Sequence, residues 1–290
     1  MSSHRLHALC AGLVLAGACL TSPARADDAL AWNPNWQKFG TVDYVATGVL
    51  GAASLGAYFF LNGPSQPRWT GGILLDNSVR DALRARSPTT LKNVRTASDV
   101  LAISSVAFTL GIDSLAIPVA RGHADTAWQL EMMNGEAFAV STLVTTVLFK
   151  EVGRARPSYA DCQQNPNFDA LCNSAPLSSF PSGHTNVVFT AAGLSCAHHT
   201  HLALWGSETA DDLGCGFSLL LASATGALRI IGDRHYLSDV LVGGAIGFGV
   251  GYGMPTIFHY TRGPDNTAET ASLGRLTTSA PLALAWSGTF

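Results

Sequence analysis

Six long apolar segments separated by polar connections set the pattern of the chain. They are rich in Ala, Leu, Val and Gly, and none of them alternates polar and apolar positions with a period of two. Segments of this length and composition are typical of helices rather than strands. They cover residues 44–61, 100–120, 137–149, 184–197, 216–231 and 240–258, and a shorter helical segment lies near 73–86. The pattern predicts an all-α fold, a helical bundle of about six main helices.

Three glycines in the last apolar segment follow one another at four-residue spacing, namely Gly243, Gly247 and Gly251. Four residues are about one helical turn, so the three lie on one face of the predicted helix. A face without side chains lets a neighbouring backbone approach closely. We therefore expect this helix to pack tightly against a neighbour through its glycine face.

The composition narrows the class of protein. Hydrophobic residues make up 47% of the 290 residues and charged residues 13%, and the formal net charge is −3. A charged share of about one quarter is usual in soluble proteins. The low charge excludes a disordered chain and a nucleic-acid-binding protein that relies on a basic surface. A well-buried globular chain and a membrane protein both remain.

The N-terminal segment has the order of a secretory signal peptide. Arg5 precedes a short apolar run, and a small-x-small motif ends at Ala26. We predict a signal peptide over residues 1–26, a helical domain over 27–262 and a C-terminal tail over 263–290. The alternative is an uncleaved anchor, although the apolar run is short for a membrane span.

Four cysteines follow the predicted signal peptide, and export makes disulfides possible. Cys162 and Cys172 lie in one polar loop rich in Asn, Gln, Pro and Ser, where a short disulfide between them fits an oxidising compartment. Cys196 lies in an apolar segment, so we expect it to be a buried small hydrophobic residue. The state of Cys215 stays open.

Acidic residues within the apolar segments argue against a simple multi-span membrane protein. Asp43 and Asp113 lie where a charge inside a bilayer would be costly. If the signal is cleaved and the first three helices span, the loop with Cys162 and Cys172 lies in the reducing cytoplasm. Either one helix does not span, or the bundle is soluble or peripheral. We expect an exported, membrane-associated protein of the periplasm or cell envelope, with its active site on the periplasmic side.

Three clusters of residues carry the candidate chemistry. The first ends an apolar helix with Lys150, Arg154 and Arg156, cations that either balance the helix dipole or bind an anion. The second opens the next helix with Ser182 and Gly183. Backbone N–H groups at a helix N-terminus suit an anion, although Ser182 is also an ordinary N-cap.

The third cluster, residues 229–239, holds His235 and Asp239 at a spacing of four. On one helix face this spacing permits a hydrogen bond between them. A carboxylate on one imidazole nitrogen leaves the other nitrogen a better nucleophile or base. A single pair of this kind is more often structural, so the argument depends on the order of all three clusters.

In this order the clusters resemble the type 2 phosphatidic acid phosphatase family, which shares its fold with bacterial non-specific acid phosphatases and vanadium haloperoxidases. The family pattern is Lys-x6-Arg-Pro, then Pro-Ser-Gly-His, then Ser-Arg-x5-His-x3-Asp. The resemblance covers about residues 130–255, and agreement of all three motifs in order is specific. The matching residues are Arg156-Pro157, Pro181 to His184, and Arg229, His235 and Asp239.

The resemblance implies a metal-independent phosphatase that uses no cofactor and acts through a phosphohistidine intermediate. The family's nucleophile corresponds to His235, the residue that orients it to Asp239, and the general acid and base to His184. The phosphate-binding positions correspond to Arg156, Arg229, Ser182, Gly183 and, with a shifted register, Lys150.

Two positions depart from the family pattern. Five residues, not six, separate Lys150 from Arg156, and the family position is occupied by Phe149. One residue is about a 100° turn of a helix, so Lys150 needs a local adjustment to reach a phosphate. The family serine before Arg229 is Leu228 here, which removes a hydroxyl donor. Loss of one such donor can cost about 10²–10³ in rate.

The resemblance implies a phosphomonoester or pyrophosphate as substrate. The apolar helices favour a lipid-linked one, of the phosphatidic acid or isoprenyl pyrophosphate type. A soluble acid phosphatase of broad specificity is the first alternative. A vanadium-dependent haloperoxidase is the second, because vanadate mimics phosphate in the same cradle. A catalytically weakened phosphate- or lipid-binding envelope protein is the third, and the changes at Lys150 and Leu228 motivate it.

Two further groups of charged residues receive no catalytic role. His198, His199 and His201 lack a recognisable ligand spacing, so we expect a polar connection between helices rather than a metal site. The basic residues from Arg80 to Arg95 are expected to form a solvated face, with docking on anionic lipid as the alternative.

Overall fold

The computed structural model describes residues 30–172 and 177–260. The predicted signal peptide 1–26 and tail 263–290 lie outside the described residues. We number the helices α1 Thr41–Phe60, α2 Asp76–Leu83, α3 Pro88–Ala107, α4 Ala124–Val152, α5 Tyr159–Gln164, α6 Gly183–His201, α7 Glu208–Ile231 and α8 Leu237–Pro255. The described ranges contain no β-strand, and the prediction of an all-α fold is confirmed.

Two of the long helices continue beyond their α-helical parts. A π-helical stretch, Phe108–Ala116, and a final turn, Ile117–Ala120, extend α3. Another π-helical stretch, Thr256–Tyr260, extends α8. All six predicted apolar segments thus lie on long helices, and the shorter segment near 73–86 contains α2.

Local sequence signals set several helix boundaries. Ser87 caps α3, because its Oγ accepts a hydrogen bond from the Thr90 backbone N–H at 3.1 Å, and a proline follows at the first position. Ser207 caps α7 through the Ala210 N–H at 3.3 Å. α4 ends at Gly153, whose left-handed φ of 57° stops the helix before the first basic cluster is complete.

Long helices that follow one another along the chain run in opposite directions, so the chain alternates between the two ends of the bundle. α4 and α7 end, and α6 and α8 begin, at one end, where the three clusters meet. At the opposite end, Leu30, Phe39 and Tyr260 belong to a buried apolar cluster against which Trp32 and Trp36 pack. The clusters with chemistry and the tryptophan-rich cluster therefore lie at opposite ends of the bundle.

The glycine face of α8 packs against α6, as the sequence predicts. A Cβ added to any of the three glycines would lie under 3.0 Å from a backbone oxygen of α6 or its N-cap. The oxygens concerned are those of Ser182 opposite Gly243, Asn186 opposite Gly247 and Thr190 opposite Gly251. This close approach fixes the start of α6 beside the start of α8.

The outer surface of the bundle is apolar. Four helical stretches are long and apolar enough to cross a membrane, Pro88–Ala120, Ala124–Val152, Glu208–Ile231 and Leu237–Tyr260. No more than 39% of the most apolar window of each is buried, so much of their hydrophobic surface faces outward. Such an extent of exposed apolar surface is uncommon on a soluble monomer and is suited to lipid.

The two acids that argued against membrane spans do not face outward from the middle of a helix. Asp43 lies in the first turn of α1, where its carboxylate accepts the Gly40 backbone N–H at 2.8 Å. Asp113 is fully buried inside the bundle and accepts hydrogen bonds from Ser195 Oγ at 2.8 Å and Trp205 Nε1 at 3.1 Å. The argument against membrane spans assumed that both acids would face the bilayer, and for these two residues that assumption was wrong.

Two disulfides occur in the described residues. Cys162 and Cys172 are joined in the polar loop, and Cys196 is joined to Cys215. Cys196 is buried, as expected, but it is part of a disulfide rather than an unpaired residue. Cys196 lies on the face of α6 that packs against α7, and Cys215 faces it across the short connection between the two helices.

Candidate active site

A cavity of about 870 Å³ opens where α4 and α7 end and α6 and α8 begin. It brings together residues of all three sequence clusters. The polar and charged residues on its wall are Ser65, Lys150, Arg156, Ser178, His184, Arg229, Arg234 and His235. Its remaining wall is largely apolar and includes Tyr58, Pro64, Phe149 and Leu177.

His235 presents one ring nitrogen to this cavity. Its Nδ1 lies 2.7 Å from the backbone oxygen of Ser179, an acceptor, so Nδ1 carries the proton and donates. Its Nε2 lies 3.4 Å from a guanidinium nitrogen of Arg156. Burial lowers the pKa of His235 well below its ordinary value, and the charges of Arg156 and Arg229 lower it further. The ring is neutral at neutral pH, with the Nε2 lone pair available for attack.

Asp239 lies near His235 but does not form with it the hydrogen bond that the spacing of four predicted. The nearest atoms, His235 Nδ1 and Asp239 Oδ2, are 3.9 Å apart. The reason is that α8 begins at Leu237, so His235 lies in the preceding loop and not on the same helix face. Asp239 instead accepts hydrogen bonds from Ser179 Oγ at 2.6 Å and the Tyr236 N–H at 2.8 Å, and pairs with Arg154.

His184 lies in the first turn of α6, on the same cavity wall. Its Nε2 is 3.1 Å from Asp99 Oδ1, and the same oxygen accepts a hydrogen bond from Arg229 at 2.9 Å. Burial and the charge of Arg229 lower the pKa of His184 to about 4, while Asp99 opposes the shift. Asp99 is a residue that the sequence analysis missed, because it lies in α3, far from the motifs along the chain.

The arginines are placed to bind an anion. Arg156 donates to the Arg234 carbonyl at 2.9 Å and to Ser178 Oγ at 3.1 Å. Burial lowers the pKa of Arg156 well below its ordinary value, and the charges of Arg234 and Arg229 lower it further. Within the described part of the chain, the buried Nε of Arg229 has no hydrogen-bond partner. A phosphate is the kind of ligand that satisfies such donors.

Arg234 is a third guanidinium that the sequence analysis did not single out. Its side chain lines the cavity and is only 8% exposed. Over residues 30–172 and 177–260 it makes no side-chain hydrogen bond or ion pair. Burial lowers its pKa to about 10, helped by the charges of Arg229 and Arg95. Its position directly before His235 could have indicated a place in the cavity wall, but the family pattern does not specify that position.

The start of α6 offers fewer N–H groups than predicted. The Ser182 N–H donates to the Asp239 carbonyl at 3.0 Å, and the side chain caps the Thr185 N–H at 3.4 Å. Ser182 is fully buried, so its predicted role as a phosphate donor is replaced by a structural one. Gly183 does line the cavity, and in the described chain its N–H makes no hydrogen bond. The anion-binding N–H groups therefore begin at Gly183.

Lys150 reaches the wall of the cavity in spite of its shifted register. It lies in the last turn of α4, and Phe149, the residue at the family position, lines the same cavity. The ammonium Nζ lies 5.8 Å from the centre of the Phe149 ring. The cavity is wide enough at this point for both residues to border it.

The expected solvated basic face is instead a set of ion pairs that hold the His235 loop. Arg80 donates to Asp233 Oδ1 at 2.7 Å and to Asp161 at 2.8 Å, and Arg84 donates to Asp161 at 3.1 Å. Arg80 is mostly buried. The prediction was wrong for Arg80 and Arg84, because their partners come from distant parts of the chain, 153 residues apart for Arg80 and Asp233. Arg86 and Lys92 are exposed, as predicted.

Arg95 forms a second anchor of the same loop. It donates to the Gly232 carbonyl at 2.7 Å and to Asp169 at 2.8 Å. Asp161 precedes Cys162, and Asp169 lies inside the loop that the disulfide to Cys172 closes. The segment around the Cys162–Cys172 disulfide therefore supplies two of the acids that hold the arginines around the His235 loop.

The three histidines near the end of α6 are satisfied within the bundle. His198 lies 2.8 Å from the Tyr260 hydroxyl and 2.9 Å from Asn134 Oδ1, and His199 lies 2.6 Å from Asp211. His201 stacks on the ring of Tyr260 at 4.1 Å. Across the described ranges, no group of three or more His, Cys, Asp or Glu residues is arranged to hold a metal ion.

Comparison with known proteins agrees with the motifs. Residues 132–262 match the PAP2 superfamily, so the predicted resemblance is confirmed. The matched segment contains every member of the three motifs that lines the cavity. No solved structure matches the chain significantly.

Two curated relatives are similar over parts of their length. A lipid A 1-phosphatase of Porphyromonas gingivalis is 42% identical over 73 residues, which are 25% of this chain and 15% of that protein. A PA-phosphatase related-family protein of Dictyostelium discoideum is 28% identical over 120 residues, 40% of this chain and 44% of that protein. The chain thus spans less than half the length of either relative.

Proposed function

We propose that this chain, whose residues 132–262 match the PAP2 superfamily, is a metal-independent phosphatase acting on a lipid-linked phosphomonoester or pyrophosphate. One observation carries the proposal. The Nε2 of a neutral His235 faces a cavity bordered by three guanidinium groups and by His184. A nucleophile, a cationic cradle and a second histidine within one cavity are the parts that phosphoryl transfer through a covalent intermediate needs.

Substrate binding uses the cationic and N–H groups on the cavity wall. The guanidinium groups of Arg156, Arg229 and Arg234 hold the phosphoryl oxygens, and the Gly183 N–H adds a backbone donor. Lys150 adds charge at the rim. These groups place positive charge beside the negatively charged phosphoryl oxygens of the transition state. The reaction therefore needs no metal ion to neutralise those oxygens.

In the first chemical step, His235 Nε2 attacks phosphorus while the bond to the leaving oxygen breaks. The bonding electron pair goes to the leaving oxygen, which takes a proton from His184. The Nδ1 proton stays on His235 and continues to donate to the Ser179 carbonyl. In the second step, neutral His184 accepts a proton from water as the water oxygen attacks phosphorus and frees His235 and inorganic phosphate.

His184 must be protonated to act as the acid. In the empty site its pKa is about 4, because of burial and Arg229. An anionic phosphate beside it opposes the effect of Arg229 and raises that pKa on binding. A bound substrate thereby favours the charged form of the acid.

The lipid-linked substrate is supported by the apolar surfaces around the cavity. Tyr58 lines it near the end of α1, and the next two residues, Phe59 and Phe60, are 69% and 81% exposed. An acyl or isoprenyl chain lying against this end of α1 would bring its phosphate to the arginines. The similarity to a protein named lipid A 1-phosphatase supports the same substrate class.

The proposed location is the exported side of a membrane, with the cavity facing the periplasm. The Cys162–Cys172 disulfide beside the cavity requires an oxidising compartment. Location is tested by labelling intact cells with a membrane-impermeant maleimide. Ser65→Cys probes the cavity rim, and Asn35→Cys probes the tryptophan-rich end. Labelling of both supports a peripheral bundle. Labelling of Ser65→Cys alone supports a spanning bundle whose N-terminal end is not exported, and labelling of Asn35→Cys alone would overturn the proposed orientation.

Activity is tested with the full chain in detergent and EDTA, offered p-nitrophenyl phosphate, phosphatidic acid and an isoprenyl pyrophosphate. We expect phosphate release that His235→Ala abolishes and that a control outside the cavity, His123→Ala, leaves unchanged. Acid-labile, alkali-stable radioactive phosphate should be trapped on the wild-type protein and not on His235→Ala. Faster release from p-nitrophenyl phosphate than from both lipids would favour a soluble acid phosphatase. If a folded protein that still binds tungstate releases no phosphate, the result would favour a phosphate- or lipid-binding protein over an enzyme.

A further inference from the structure

Arg154 is the largest fully buried side chain of the described residues, and every donor of its guanidinium is used. It pairs with Asp239 on one side and with Asp76 at 2.7 Å on the other. It also donates to Ser238 Oγ at 2.8 Å and to the Gly71 carbonyl at 3.0 Å. The buried charge is therefore compensated on both sides.

Two aromatic rings enclose the same guanidinium. Its central carbon lies 3.9 Å from the centre of the Trp69 ring and 4.2 Å from that of Tyr236. Stacking between two rings and bonding to two carboxylates leaves the group one position. This explains why Arg154 does not line the cavity although Arg156, two residues on, does.

Asp76 anchors the far side of this group. It is the first residue of α2, is 2% exposed, and accepts hydrogen bonds from the Ser238 N–H at 2.8 Å and Ser238 Oγ at 2.7 Å. The Ile73 N–H also donates to it at 2.9 Å. A carboxylate, a guanidinium and a second carboxylate thus form a row, Asp76–Arg154–Asp239, beneath the His235 loop.

Ser179 joins this row to the nucleophile. Its N–H donates to the Arg154 carbonyl at 3.0 Å, and its Oγ donates to Asp239 at 2.6 Å. Its carbonyl is the acceptor for His235 Nδ1 at 2.7 Å. Two contacts to the row therefore fix the one atom that determines which nitrogen of His235 carries the proton.

We propose that Arg154 and Asp76 are positioning residues for His235, acting through Asp239 and the Ser179 carbonyl. The expected effect on kcat rests on the proposed function, whereas the expected tautomer of His235 rests on geometry alone. The row holds the Nδ1–H tautomer, so that Nε2 stays unprotonated toward the cavity. It replaces the direct contact between Asp239 and His235 that the spacing of four predicted.

The test compares Asp76→Asn and Ser179→Ala with an exposed control on the same helix as Asp76, Asp81→Asn. Asp76→Asn keeps the shape and removes the charge, and Ser179→Ala keeps the carbonyl and removes its link to Asp239. We expect kcat to fall in both variants, on the order of 10²-fold for a nucleophile displaced by 1 Å. Tungstate affinity and KM should change less than twofold, because the cavity arginines are untouched. A structural defect would instead lower anion binding and turnover together.

A second readout does not depend on activity. Nuclear magnetic resonance of 15N-histidine-labelled full chain, assigned with His235→Ala, reports which ring nitrogen carries the proton. The wild type and Asp81→Asn should show the Nδ1–H form of His235, and Asp76→Asn and Ser179→Ala a mixture of tautomers. An unchanged tautomer with unchanged kcat would overturn the positioning role. If the wild type is inactive but the variants show the expected tautomer change, the proposed phosphatase activity is refuted and the positioning role is still supported.

Discussion

Asp99 Oδ1 lies 3.1 Å from His184 Nε2, although the two residues are on different helices and neither predicts the other in sequence. The same carboxylate oxygen bonds Arg229. Asp99 therefore occupies donors of both His184 and Arg229, and a phosphate in the proposed site must compete with it.

Asp99→Asn is expected to shift the pH dependence of the reaction. Asp99 opposes the lowering of the His184 pKa, so its neutralisation lets that pKa fall further below about 4. The limb of the kcat/KM profile that follows protonated His184 should move to lower pH. Tungstate affinity should stay the same or rise, because a competing carboxylate is gone. Asp81→Asn is the control, and an identical profile in both variants would refute the coupling.

Arg234→Gln tests the third guanidinium. A hydrogen bond to a charged group contributes about 1.5–3 kcal/mol, so loss of one predicts a fall in kcat/KM of about 10- to 150-fold. The control is Arg86→Gln, an exposed arginine that donates only to a nearby backbone carbonyl. Phosphate-release kinetics and tungstate binding measure the effect. Activity equal to that of the control would remove Arg234 from the cradle.

The two disulfides should differ in what their removal does. Replacing Cys162 and Cys172 by serine removes the covalent restraint on the segment that contains Asp161 and Asp169. We expect turnover to fall on the order of tenfold. Closure of a loop of 10 residues is worth less than about 3 kcal/mol, so thermal stability should fall as well.

The matched control replaces Cys196 and Cys215. Cys196 lies about 20 Å along α6 from Gly183, by the rise of a helix. This variant should lose stability and keep its turnover per folded molecule. Equal losses of turnover in both double variants would show that the disulfide loop has no special hold on the His235 loop.

Gly247→Ala and Gly249→Ala separate packing from helix propensity. A Cβ at Gly247 would collide with the Asn186 carbonyl, whereas no atom lies within 4 Å of a Cβ at Gly249. Overpacking typically costs about 1–3 kcal/mol, so Gly247→Ala should lower the melting temperature in detergent. Gly249→Ala should leave it unchanged or raise it, since alanine favours a helix. The reverse order would contradict the packing of α8 on α6.

The sequence predicted the helices, the glycine face and the meeting of the three motif clusters, because these depend on periodicity and on local chemistry. It could not predict the partners of Asp239, since these depend on where α8 begins relative to His235. Nor could it assign Arg80 or Arg154, whose carboxylates lie 153 and 85 residues away along the chain. Buried ion pairs between distant segments leave no periodic signal.

The unpaired Nε of Arg229 and the cavity guanidinium of Arg234 have a consequence for the end of the proposed reaction. Inorganic phosphate, the product of that reaction, would fit these groups and relieve the repulsion among the three cavity guanidiniums. A ligand that binds only the folded state stabilises it in proportion to its affinity and concentration. Release of phosphate therefore removes a ligand that stabilises the folded protein. Phosphate should inhibit competitively, and turnover should slow as phosphate accumulates in the surrounding compartment.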